Sequence, residues 1–258
     1  MESLVLYRVE HRIAEITINR PEKRNALNPS LVAELTAAFL AAQQDESVKV
    51  VVLKANGDVF SAGADLAYMQ QLQHFSYEEN IQDSTALKNL FETIRTLSKV
   101  VIAQVEGHAI AGGCGLATIC DIIFAVPEAK FGYTEVKLGF VPAIVSCYLI
   151  QKTGETIAKK LLLSGDLFTA EDALKYNLIS YVTKSEEISQ IVREFALNLS
   201  NNASGNSLAL TKQLINQTTD TWLDSCLDNA IKVNAKTRES DDFKKGISSF
   251  LEKEKINW

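Results

Sequence analysis

Three glycines, one carboxylate and a second small-residue turn are the residues whose types and spacing could do chemistry. The run from Val101 to Val141, VIAQVEGHAIAGGCGLATICDIIFAVPEAKFGYTEVKLGFV, carries a buried apolar strand into Gly112, Gly113 and Gly115. An apolar stretch, Leu116 to Cys120, follows at once and reads as a helix after a glycine turn. Farther along, Glu135 stands alone among Phe131, Tyr133, Leu138 and Phe140. The earlier segment FSAGADL, residues 60–66, offers a second turn around Gly63. Glycine and alanine let backbone N–H groups approach a ligand with no side chain in the way. A helix start leaves N–H donors unpaired and favours negative charge. Two such turns can clamp one carbonyl oxygen as it becomes an oxyanion. A carboxylate beside them can move a proton next to that carbonyl, and apolar surroundings raise its pKa so that both of its forms are accessible.

The elements that must position these residues are legible in outline. Residues 4–9 and 13–19 alternate as strands about a tight turn at Glu10 to Arg12. Asn28-Pro-Ser marks a helix start, and Leu31 to Gln44 has helical spacing. Residues 49–54, 100–105 and 122–125 read as short buried strands, and Tyr77 to Leu97 as an amphipathic helix. Strand, helix and strand recur loosely, which predicts an α/β core with stacked turns. After Val182 strand signals fade, and 185–258 read as helices broken at Asn201 to Asn206. Tyr68, Met69 and Leu72 read as a helix lining a pocket or filling the core. His108 reads as a core histidine with a satisfied hydrogen bond, whereas His11 and His74 have no context.

The 258 residues are 47% hydrophobic, ample for one large or two small domains. No run approaches the roughly eighteen apolar residues of a membrane span, so no membrane partner is expected. The N-terminal stretch MESLVLYRVEHR is too short and too charged for a secretory signal. Cys114, Cys120, Cys147 and Cys226 show no metal-ligand spacing and are expected to be reduced thiols of a cytoplasmic protein. A net charge of −6 argues against a general nucleic-acid binder but leaves room for one basic pocket.

Five segments, in order and spacing, resemble the enoyl-CoA hydratase/isomerase family, the crotonase-like enzymes. They are ITINRPEKRNALN at 16–28, FSAGADL, VEGHAIAGGCGLATICDI, KFGYTEVKLGFVP, and KKGISSFLEKEKINW at 244–258. The resemblance implies an α/β fold: a spiral of ββα units over 1–200 that carries the active site, then a helical region over 201–258 that packs subunits into a homotrimer or a hexamer. It implies Glu135 as the catalytic carboxylate and the backbone N–H groups of Ala62 and Gly112 as oxyanion donors. It places Lys23, Arg24 and Ala26 along coenzyme A, with Ala64, Asp65 and Leu66 beside its adenine and pantetheine. Phe250 and Lys253 would reach cofactor held by a neighbouring subunit. It implies no metal and no prosthetic group, coenzyme A entering only as part of the thioester substrate.

Two departures from the family pattern bear on the reaction. Well-studied hydratases have a second glutamate where this chain has Gly115. After Pro142, where many hydratases are glycine-rich, this chain has Ala143, Ile144, Val145 and Ser146, which should reshape the acyl pocket; Ser146 could hydrogen-bond a polar acyl group, but reads first as a helix cap. The phrases GGCGL and FGYTEVKLGFVPAIVS resemble the methylglutaconyl-CoA hydratases of leucine breakdown. The expected activity is therefore a hydro-lyase on a branched enoyl-CoA such as 3-methylglutaconyl-CoA. The alternatives are a Δ3,Δ2-enoyl-CoA isomerase working with one glutamate, or a general enoyl-CoA hydratase. RNA binding, known in a eukaryotic relative, would need a lysine-rich helix, but Tyr77 to Leu97 holds only Lys88 and Arg95.

Overall fold

The computed structural model describes residues 3–256 and 258; Met1 and Glu2 of the N-terminal stretch and Asn257 of the last motif lie outside the described residues. Alternating side chains set strands β1 (Val5–Glu10) and β2 (Ile13–Ile18) antiparallel about His11 and Arg12, both at positive φ. Helix α1 (Pro29–Gln44) begins where Asn28 Oδ1 accepts from the Leu31 N–H at 2.9 Å, with Pro29 pre-set for the first turn.

One unit then recurs three times. β3 (Val50–Ala55) and β4 (Val59–Ser61) lead into α2 (Leu66–Leu72) and α3 (Tyr77–Thr96). β5 (Val100–Val105) and β6 (His108–Ile110) lead into α4 (Gly112–Thr118). β7 (Ile122–Ala125) and β8 (Lys130–Gly132) lead into a 3₁₀ turn, Glu135–Leu138, and α5 (Ala143–Ser164). The short elements β9 (Phe168–Thr169), α6 (Ala170–Lys175) and β10 (Tyr181–Val182) follow. Helices α7 (Ile188–Asn202), α8 (Gly205–Gln217), α9 (Asp220–Arg238) and α10 (Asp241–Glu252) complete the chain.

The first strand of each unit joins a six-stranded sheet, β1-β2-β3-β5-β7-β10, parallel beyond β2. The second strand joins a four-stranded sheet, β4-β6-β8-β9, whose first three strands are parallel. Each unit thus places one strand in each sheet and returns through a helix, the ββα spiral. The inner strands are apolar almost throughout because both faces are covered: Val100 to Val105 is buried at every position. Helix α7 packs on β2, β3, β5 and β7, while α3 packs on α1 and α9. Among the described residues no helix is long and apolar enough to cross a membrane.

Two details correct the sequence reading. The glycine cluster is not a turn ahead of a helix, since Gly112, Gly113 and Gly115 form the first turn of α4 itself. The cysteines are not all thiols either. Cys147 on α5 and Cys226 on α9 are paired as a disulfide, Cα–Cα 6.1 Å, because these two helices pack together. Cys114 and Cys120 are free and buried, and burial pushes both thiols up to about 12.

Candidate active site

The reactive groups lie just past the ends of three neighbouring strands. Ser61 of β4 pairs with Ala109 of β6, and Ile110 of β6 pairs with Gly132 of β8. The chain leaves those ends toward Ala64, Gly112 and Glu135 in turn. Carboxyl ends of parallel strands are where α/β folds gather ligand-binding groups. The three turns are held closely. The Ala111 N–H donates to the Gly132 carbonyl at 2.7 Å, and Ala111 takes the strained φ of 51°. A Cβ on Gly113 would lie 2.6 Å from Ser61, so only glycine lets α4 approach β4 so closely. A Cβ on Gly63 would meet Ala111 and lie 3.6 Å from the Gly112 nitrogen, so the two turns abut.

The hydrogen bonds of these turns move one donor. The Ala62 N–H, expected in the oxyanion clamp, donates to the Arg24 carbonyl at 3.0 Å and is not free. The next N–H, of Gly63, faces Ser61 Oγ at 3.3 Å. Ala64 differs. Its neighbours lace to Leu27, through Leu27 N to the Gly63 carbonyl at 2.7 Å and Asp65 N to the Leu27 carbonyl at 2.8 Å. The Ala64 N–H itself has no partner among the described residues. Gly112, first in α4, has an N–H without an intrahelical acceptor. Both residues line one cavity, so Ala64 and Gly112 are the donors that a ligand there can reach. Sequence alone could not separate Ala62 from Ala64, which are the same residue type on either side of Gly63.

Glu135 opens the 3₁₀ turn and is 7% exposed. Its Oε2 is buried with no hydrogen-bond partner, and burial pushes the carboxyl from 4.5 up to about 7. The turn is fixed from behind. Tyr133 is fully buried and its hydroxyl lies 3.3 Å from Thr118 Oγ, which donates to the Gly115 carbonyl at 3.1 Å. The Phe140 N–H donates to the Glu135 carbonyl at 3.1 Å. From above, α10 is pressed so close that a Cβ on Gly246 would lie 2.1 Å from the Leu138 oxygen.

No second carboxylate faces Glu135 from Gly115, and the space is filled. A Cβ there would lie 2.3 Å from Val145 Cγ1 and 3.1 Å from the Phe91 ring. The bulky start of α5 is thus matched to the missing side chain. Ser146, read as a cap, instead donates from Oγ to the Ala143 carbonyl at 2.7 Å within the first turn of α5. His108 accepts the Lys130 N–H at Nδ1, 3.2 Å, but it is exposed rather than core.

A cavity of about 1800 Å³ opens over these groups. Ala62, Ala64, Gly112 and Glu135 line it, with Lys23, Arg24, Ala26, Asp65, Leu66 and Phe250. Lys23 and Arg24 are exposed at its edge with no side-chain partner among the described residues. Phe250, expected against a neighbour's cofactor, lines the cavity of its own chain. Lys253 does not line it; it is exposed and ends α10 in a left-handed conformation, φ 57°. Asp65, expected beside coenzyme A, is engaged by its own chain. It caps α2 by accepting from Ala67 and Tyr68, and pairs with Arg20 at 2.6 Å. Burial pushes its carboxyl up, but the Arg20 and backbone hydrogen bonds outweigh this and hold it below the usual range.

Sequence reasoning missed Asn25. It is fully buried, accepts the Arg20 N–H, donates to the Asn56 and Val59 carbonyls, and takes the Ser61 hydroxyl on its own carbonyl. It ties the Lys23–Arg24 loop to β4. Its left-handed φ of 53°, a conformation asparagine tolerates, shows only in the structure, and the sequence offers no separate signal for it.

The chain is similar to known proteins along nearly its whole length. The family model for enoyl-CoA hydratase/isomerase matches residues 8–258. A Thermus thermophilus protein provisionally named an enoyl-CoA hydratase is 39% identical over 241 residues, 93% of this chain and 95% of that protein. The 2,3-dehydroadipyl-CoA hydratase of Escherichia coli is 33% identical over 262 residues, covering 98% and 97%. The crystal structure of an enoyl-CoA hydratase from Mycobacterium avium superposes with a TM-score of 0.89 at 31% identity, over the whole of both chains. A spiral that delivers two free N–H groups and one desolvated carboxylate to adjoining strand ends, in a chain matched end to end by these proteins, belongs to the enoyl-CoA hydratase/isomerase family.

Proposed function

We propose that this protein is a hydro-lyase that adds water to an enoyl-CoA thioester or removes it, with 3-methylglutaconyl-CoA as its preferred substrate. The observation that carries the reading is the buried, unpartnered Oε2 of Glu135 beside the free N–H groups of Ala64 and Gly112. In this reading the thioester oxygen accepts from both N–H groups. Glu135 takes a proton from water as the water oxygen bonds to C3. The electron pair of the double bond moves onto the thioester as an enolate, and Glu135 returns the proton to C2. Each preorganised donor of this kind contributes about 3–4 kcal/mol to the charged intermediate, so no metal is called for. Lys23 and Arg24 at the cavity edge suit the phosphates of coenzyme A. The named activity of the Escherichia coli relative, on an acyl group with a second carboxylate, supports an acidic acyl chain.

A second reading is a Δ3,Δ2-enoyl-CoA isomerase. Gly115 favours it, because moving one proton between two carbons needs one carboxylate. Turnover on crotonyl-CoA, 3-hexenoyl-CoA and 3-methylglutaconyl-CoA, followed by loss or gain of thioester-conjugated absorbance, separates the two. Activity on 3-hexenoyl-CoA alone would overturn the hydro-lyase reading.

The protein assembles, in this reading, as a homotrimer or a pair of trimers through its helical region from residue 201. Helix α8 supports this: it has no buried residue and exposes Leu210, Leu214 and Ile215. Light scattering on the purified protein tests it, and a monomer at micromolar concentration would refute it.

A further inference from the structure

One buried cation beside the cavity has an unused edge. Arg238, last in α9, is 6% exposed and lines the same cavity as Glu135. Its Nη1 lies 2.7 Å from Asp83 Oδ2 and donates to Asn80 Oδ1 at 3.1 Å. Asp83 Oδ1 is taken by the Tyr68 hydroxyl at 2.6 Å, so both oxygens of the counter-ion are occupied. The guanidinium lies over the Phe140 ring, 5.7 Å from its centroid, and Phe140 is hydrogen-bonded to the Glu135 carbonyl. Its Nε is buried and has no hydrogen-bond partner. Nε and Nη2 form the side edge of the planar fork, the edge that takes a carboxylate through two parallel hydrogen bonds.

A purely structural Arg238 would tie α9 to α3 through Asp83, and Nη1 does that alone. An unsatisfied buried N–H is costly, and such groups in folded proteins usually answer to a ligand or a water. We infer that Arg238 is the specificity-determining residue for the acyl group, its Nε edge receiving a carboxylate at the far end of the chain. The inference rests on the enoyl-CoA reading and names the substrate class for it, enoyl thioesters of dicarboxylic acids. Tyr68 and Asp83 hold the fork in place, and Phe140 sets it one ring away from the turn that carries Glu135. A neutral acyl chain would leave Nε unpaired, and a site built to hydrogen-bond a group discriminates strongly against analogues lacking it.

The test uses saturated thioesters, so that binding is read without turnover. Dissociation constants of glutaryl-CoA and pentanoyl-CoA, of similar length with and without a terminal carboxylate, are measured by calorimetry for the full chain and for Arg238→Gln. The wild type should bind glutaryl-CoA at least about tenfold more tightly, the effect of one or two charge-assisted hydrogen bonds. Arg238→Gln should lose that preference while pentanoyl-CoA affinity changes less than about threefold. Arg238→Lys, charged but without the fork, should fall between them. Equal affinities in the wild type overturn the inference, and so does a variant that weakens both ligands alike. If Arg238→Gln fails to fold, Arg238→Lys decides, and an undiminished glutaryl preference in it overturns the inference. A glutaryl preference in a protein that hydrates no enoyl-CoA would leave this inference standing and remove the reaction. Hydration without that preference would do the reverse.

Discussion

Replacing Glu135 with glutamine probes its burial and its chemistry together. Burial moves the carboxyl from 4.5 to about 7, because the charged form loses its water and Oε2 gains no partner. That difference corresponds to on the order of 3 kcal/mol between the two protonation states. The folded protein therefore holds this proton more tightly than the unfolded chain does. Its stabilising effect is complete below pH 4.5, declines as pH rises through the window to about 7, and is gone above it. Glutamine has no proton to lose, so Glu135→Gln lacks the decline. Cys114 and Tyr133 sense the Glu135 charge, but burial keeps both protonated across this pH range, so they do not enter the difference. Urea denaturation of the ligand-free proteins between pH 4 and pH 8 should show the variant gaining on the wild type by up to about 3 kcal/mol. At the same time turnover should fall by about 10²–10⁴-fold with acyl-CoA binding retained. The wild-type kcat/KM for hydration should rise with pH through about 7, as Glu135 becomes the base. Parallel stability profiles would refute the desolvated carboxylate, and turnover within threefold of wild type would refute its role.

Other substitutions test the rest of the site. Ala64→Pro removes a free N–H and should cost at least about 10²-fold in turnover with binding largely kept; a crystal structure with a bound thioester oxygen pointing away from Ala64 would defeat the assignment. Gly115→Glu should cost about 1–3 kcal/mol of stability, because its Cβ meets Val145, and should lower native activity with at most a small gain on crotonyl-CoA. Adding Val145→Ala should recover the stability, and a large crotonyl-CoA gain from the single variant with native activity unchanged would show that the pocket is not specialised. Truncation before Ser248 removes Phe250 and Leu251 from the cavity wall and should weaken coenzyme A binding by at least about tenfold, as read by calorimetry; unchanged affinity would place the cofactor elsewhere.

Local features of the fold were legible because their causes are local. The β1–β2 hairpin follows from alternation, the start of α1 from Asn28-Pro29, and the helical character after residue 185, with its break near Asn202, from the fading of strand signals; the later breaks that separate α9 and α10 were not read. The spiral was not legible from periodicity. Its order β4-β6-β8 pairs strands about fifty and twenty residues apart, and three-residue strands leave no periodic mark. Only the family motifs carried it. The same distinction divides the site. Glu135 was legible as a lone carboxylate among aromatic residues, and Gly112 as part of a glycine cluster. The choice of Ala64 over Ala62 was not, because it turns on where one N–H points, which the Arg24 carbonyl decides. The Cys147–Cys226 pair, 79 residues apart, depends on the contact of α5 with α9.

Arg238 shows the same limit at its sharpest, and it joins two features that the sequence presents separately. At the reacting end, Gly115 leaves a gap that Val145 and Phe91 close, so one carboxylate works against an apolar wall. At the other end, Arg238 lines the cavity from the end of α9, where no motif in the sequence singles it out. A second carboxylate at position 115 would add negative charge to the cavity that the fork of Arg238 makes hospitable to a carboxylate on the substrate. The loss of one acidic residue near the double bond and the presence of one half-used cation beyond it are then parts of a single charge arrangement. That arrangement makes a specific demand: weakening Arg238 should shrink the penalty of Gly115→Glu on acidic acyl groups, whose carboxylate is then no longer held in the cavity, and leave its effect on neutral ones unchanged, a coupling that a double-mutant cycle on the two thioester classes can measure.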